Sequence, residues 1–191
     1  MASQGPNTAS TASGGSTNAW SNPTYALASD SSYATRLGVK NTVLTSGLLT
    51  ITNFGFSIPT GATINGVVVA ITRHANSGLV SDNTIQLYKG GSVTGTNQSG
   101  YAAWSLSDNT LSVGGSTSLW GATLSVADVN STGFGVVMSA DIDGTDALLH
   151  TAYVNCFTMT VYYTAAPTGR YFNGVVCSQI NGVACTHMDG S

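Results

Sequence analysis

The chain has 191 residues and a mass of 19.4 kDa, enough for one well-buried core. Only 7% of the residues are charged, Glu is absent, and the five cations are scattered in a chain of net charge −3; this excludes the basic stripe that nucleic acid requires. The longest apolar run, near residues 67 to 71, is far short of the roughly 20 residues of a membrane-spanning helix, so no membrane partner is expected.

Residues 1–18 form a Ser/Thr/Gly/Ala tract with no basic start and no apolar block, so no signal peptide is expected. With almost nothing to bury, the tract is expected to be a flexible arm that orders only along a partner. A folded domain is expected over 19–165. It opens at Trp20, turns at Asn22-Pro23, and has a strand around Tyr33 to Leu37.

The organising stretch runs from Leu48 to His74 and reads as strand, Pro-Gly turn, strand, with Ile58-Pro59-Thr60-Gly61 as a type II turn. Val67 to Ile71 is a continuous run of apolar residues, four of them β-branched, which predicts a central strand covered on both faces.

Thr84 to Lys89 alternates as a strand and Gly90-Gly91 closes a tight turn. Further strands are expected over Tyr101 to Leu106 and Leu119 to Leu124, with a turn of helix at Val126 to Val129. Phe134 to Ala140 and Thr151 to Thr164 complete the domain. Eight to ten short strands separated by turn signals, with few helix formers at the polar positions, predict an all-β, jelly-roll-like antiparallel β-sandwich.

Beyond Ala165-Ala166-Pro167, residues 166–191 read as a C-terminal extension with a hairpin at Asn181-Gly182. A three-residue loop there sets Cys177 opposite Cys185, so a disulfide is expected, with free thiols and a zinc site using His187 as the alternatives. Cys156 is expected to be a buried thiol.

Little in the chain suggests catalysis. Asp141-Ile142-Asp143-Gly144 opens like a calcium loop, but the twelfth position is Ala152 where a bidentate Glu is needed, so an acidic hairpin between Ala140 and Leu148 is the expectation. His74, His150 and His187 stand apart from any nucleophile motif. No cofactor, metal or catalytic residue is expected. Trp20, Trp104 and Trp120 are candidates for stacking on sugar rings, with core packing as the alternative.

Four segments, AWSNPTYALASDSSYAT (19–35), TNFGFSIPTGATINGVVV (52–69), GGSTSLWGATLSVADVNSTGFGVVMSA (114–140) and FTMTVYYT (157–164), resemble a module that recurs in virion proteins of tailed bacteriophages. The resemblance implies a non-enzymatic sandwich made in the host cytoplasm and displayed on the virion. It implies a capsid cement or decoration protein or part of a tail fibre. The chain's size, with no long repetitive shaft, makes a cement or decoration protein on the head the expectation, with a tail-fibre or receptor-binding module and, from the aromatic residues, a carbohydrate-binding module as the alternatives. The implied partners are the major capsid protein or other virion proteins, and a host surface glycan under the alternatives. The low charge and the core-poor terminal segments add the expectation of a homo-oligomer, with a trimer favoured.

Overall fold

In a computed structural model, residues 1–167 and the strands Arg170–Phe172 and Val175–Cys177 are described. The domain is an all-β sandwich of two antiparallel sheets. One sheet contains β1 (Ala2–Thr8), β3 (Ala34–Leu37), β6 (Thr63–Ala75), β9 (Asn109–Gly114) and β11 (Thr151–Thr164). The other contains β2 (Thr11–Ser13), β4 (Val43–Thr45), β5 (Leu49–Thr52), β7 (Val80–Lys89), β8 (Ser92–Thr94) and β10 (Gly135–Asp143).

The first sheet is ordered β1-β11-β6-β9, with β3 beside β1 along the same edge of β11. The second runs β2-β5-β10-β7-β8, with β4 extending β5 along β10. From β3 onward the chain passes back and forth between the sheets in the order of a jelly roll, so the inner faces of both are filled by residues distant in sequence. Val67, Val69 and Ile71 of β6 and Phe157, Met159 and Val161 of β11 meet Ile51, Ile85, Leu87, Val136 and Met138 across the core, all fully buried.

β6 is central in its sheet, between β11 and β9, but it is not covered equally on both faces. Val67, Val69 and Ile71 are buried while Val68, Ala70 and Thr72 are half-buried. The apolar run therefore alternates between core and outer face, because β-branched side chains suit a half-covered pleat as well as an enclosed one. The organising pair also splits. β5 and β6 lie in different sheets, so the Pro-Gly segment turns a corner of the sandwich. Its turn is Pro59 to Ala62, one residue later than expected, with Ala62 N–H donating to the Pro59 carbonyl at 3.2 Å. Gly61 occupies the third position at φ 81°, as a type II turn requires.

Residues 1–18 differ most from expectation, because they are not a free arm. β1 pairs with β11 from Ala2 opposite Tyr163 to Thr8 opposite Thr158, and β2 pairs with β5. Side chains add support: Asn7 Nδ2 donates to the Phe54 carbonyl at 2.9 Å, and Gln4 Oε1 accepts from Ser57 N–H at 2.8 Å. An edge strand held by its main chain needs no apolar cluster of its own, which is why this composition is compatible with order.

Two expected strands are loops. Tyr101 to Leu106 makes only an isolated bridge, Ala103 to Ser81, and Leu119 to Leu124 lies in turns and irregular chain. The helical turn α1 (Val126–Val129) is present, closed by a capping box in which Ser125 and Asp128 exchange hydrogen bonds.

In the tail, β12 (Arg170–Phe172) pairs with β13 (Val175–Cys177), placing Cys177 opposite Arg170. The expected hairpin at Asn181-Gly182, Cys185 and His187 lie outside the described residues.

Candidate interaction site at the loop end of the sandwich

The three tryptophans are excluded as sugar platforms by where the fold puts them. Each is at least 96% buried, and each indole N–H is used internally. Trp20 donates to the Gly47 carbonyl at 2.8 Å, Trp104 to Asp82 Oδ1 at 3.0 Å, and Trp120 to the Val67 carbonyl at 3.0 Å. Large aromatics with satisfied N–H groups are core pieces. Cys156 is likewise a buried free thiol.

The exposed apolar surface gathers instead at one end. β3 ends and β11 begins at the pair Leu37 and Thr151, β10 ends and β4 begins at Asp143 and Val43, and β6 ends opposite Ala152. The loops 38–42, 76–79, 101–108 and 144–150 therefore share this end. They and the adjoining strand tips carry Leu37, Val39, Val43, Leu79, Tyr101, Leu106, Leu148 and Leu149, eight of the eleven large hydrophobics exposed among the described residues. Leu106 is 69% exposed, Tyr101 64% and Leu148 59%. A depression of about 340 Å³ opens among them, lined by Val43, Leu79, Tyr101, Asp141 and Asp143 with their neighbours.

This end is held rigid from beneath. Arg73 on β6 and Asp82 on β7 form a buried bidentate pair, Nε to Oδ1 at 2.9 Å and Nη2 to Oδ2, and Trp104 covers it with its ring 4.9 Å from the guanidinium carbon. On the outer face of the same sheet, His74 Nδ1 meets Asp108 Oδ1 at 2.7 Å and the Tyr33 hydroxyl donates to Asp108 Oδ2 at 3.0 Å. His74 stacks on Tyr153, with ring centroids 4.5 Å apart. The neighbours Arg73 and His74 thus clamp the 101–108 segment from both sides of β6. The bond to the Asp108 carboxylate, with partial burial, pushes the Tyr33 phenol above its ordinary value.

The acidic run is spent on bonds to neighbouring strands and within its own loop, which is not the expected hairpin because it crosses from β10 in one sheet to β11 in the other. Asp141 accepts from Thr45 Oγ1 at 2.5 Å and Asn83 Nδ2 at 2.9 Å. Asp143 accepts from Thr145 Oγ1 and N–H at 2.6 and 2.9 Å, and these bonds lower its pKa. Asp146 pairs with His150 Nε2 at 3.0 Å and accepts from Leu148 N–H at 2.9 Å, which lowers it too. Among the described residues, no group of three or more His, Cys, Asp or Glu is placed to hold a metal ion. Neither His74 nor His150 is hydrogen-bonded to a serine or cysteine there. The arrangement is a firm apolar surface with fixed carboxylates at its margin.

The chain matches no family model, and no curated protein or solved structure is significantly similar to it.

Proposed function

We propose that this chain is a non-enzymatic virion structural protein of a tailed bacteriophage, a cement or decoration subunit that binds the head through the loop end of its sandwich. The observation that carries the reading is the exposed cluster around Leu106, Tyr101 and Leu148. Large apolar side chains gathered bare at one end of a sandwich suit a contact surface. The segments that resemble phage virion modules support the virion as its setting, and the low charge suits a partner surface that is also neutral. The partner in this reading is the major capsid protein, contacted by apolar side chains at the centre and by Asp143, Asp146 and Lys40 at the rim.

The test is co-sedimentation of the purified chain with empty capsid shells. Wild-type protein is expected to pellet with the shells and to raise their resistance to heat. Leu148→Asp and Leu106→Asp are expected to stay in the supernatant with unchanged folding. Binding to host cells instead of shells would favour the tail-fibre reading, and equal shell binding by both variants would remove the loop end from the account.

A further inference from the structure

The four sheet edges are not protected equally. β1 carries Pro6 and an irregular register between Gln4 and Asn7, β3 is four residues long and bears Arg36, and β2, β4 and β8 have three residues each. These are ordinary ways of blunting an edge. β9 has none of them. Its six residues, Asn109-Thr110-Leu111-Ser112-Val113-Gly114, contain no charge and no proline, and all are exposed or half-exposed.

One side of β9 is paired with β6, from Val68 opposite Gly114 to Arg73 opposite Asn109. Gly115 N–H donates to the Val67 carbonyl at 3.1 Å, and bonded pairs recur at every second residue of an antiparallel ladder. Leu111 and Val113 therefore turn their main-chain groups toward β6. Thr110 and Ser112 turn theirs outward, and among the described residues no group bonds to these outward main-chain atoms, while the Thr110 hydroxyl pairs with that of Thr72 at 2.8 Å.

We propose that β9 is a pairing edge that joins two copies of this chain, antiparallel about a two-fold axis, into one continuous sheet. The edge is self-complementary. Setting Thr110 opposite the second copy's Ser112 lets the two residues exchange both main-chain hydrogen bonds, and places Leu111 against its own counterpart on the core side. The same register sets Asp108 opposite Gly114, so the nearest acidic groups do not face each other although the chain is negative. The outer face beside the edge, Ala70, Thr72, Thr110 and Ser112, is uncharged. A pair related by a two-fold axis closes at two copies, so this edge yields a dimer rather than the trimer expected from composition.

The experiment is sedimentation velocity of the full chain from low to high micromolar concentration, with amide hydrogen exchange measured alongside. The wild type is expected to dimerise, and the Thr110 and Ser112 amides to be protected in the dimer and to lose protection on dilution. Ser112→Pro removes an outward N–H without touching the β6 ladder and is expected to weaken dimerisation at least about tenfold. Ser112→Lys, which keeps the backbone intact, is expected to do the same by bringing like charges together. A monomer at every concentration, an oligomer in which both amides exchange freely, or a dimer retained in the folded Lys variant would overturn the proposal. None of these outcomes depends on whether the chain binds a phage head.

Discussion

Arg73 and Asp82 stand on opposite sheets and meet in a buried bidentate ion pair, 6% and 1% exposed, under the ring of Trp104. Removing one partner leaves the other charge buried and uncompensated, which costs about 3–5 kcal/mol. Asp82→Ala is therefore expected to lose about that much stability in urea unfolding. The double substitution Arg73→Met with Asp82→Leu is expected to lose less. A single variant with a wild-type midpoint would mean the pair does not close this end of the sandwich.

Gly61 sits at φ 81° in the corner turn, and a Cβ there would also come within 3.2 Å of Ala166 Cβ. Gly61→Val is expected to lower stability by about 1–3 kcal/mol through backbone strain. Thermal unfolding measures this, and an unchanged melting temperature would contradict it.

Deleting Ala2 to Ser13 strips β1 from β11 and β2 from β5. The truncated chain is expected to melt at least about 4 °C lower, the equivalent of about 1–2 kcal/mol in a chain of this size. If the segment were a free arm, the melting temperature would not move.

Asp128, Asp143 and Asp146 all have lowered pKa values, caused chiefly by hydrogen bonds from Ser125, Thr145 and His150 respectively. A carboxyl group with a lower pKa folded than unfolded adds stability above its ordinary value of 3.8, and that stability is lost as the pH falls through the folded-state value. The melting temperature is expected to hold near neutrality and drop below about pH 4. Asp128→Asn should flatten part of that drop, and a profile identical to wild type would show that the Ser125 capping box does not contribute.

Long, strongly patterned elements were legible in the sequence. The expected strand Thr151–Thr164 has the bounds the structure gives it, and the helical turn lies at Val126–Val129 as expected. β1, β2 and β9 were not, because edge strands are held by main-chain bonds that leave little trace in side-chain pattern. The segments around Trp104 and Trp120 read as strands, but the chain is looped there and uses both residues as core plugs, each tied by its indole N–H. The loop end was invisible for a related reason. Leu106, Leu148 and Leu149 read in sequence like any core leucine, and only the placement of their loops exposes them. His74 and Asp108 are 34 residues apart, so the clamp they form needed the pairing of β6 with β9 to bring them together.

A cryo-electron microscopy map of the parent particle tests the central claim most directly. The account predicts density for the sandwich on the head, with Leu106 and Leu148 turned into the capsid lattice and the β2 and β8 edges facing away from it. Density on the tail, or a sandwich seated on the head with its loop end in solvent, would contradict it.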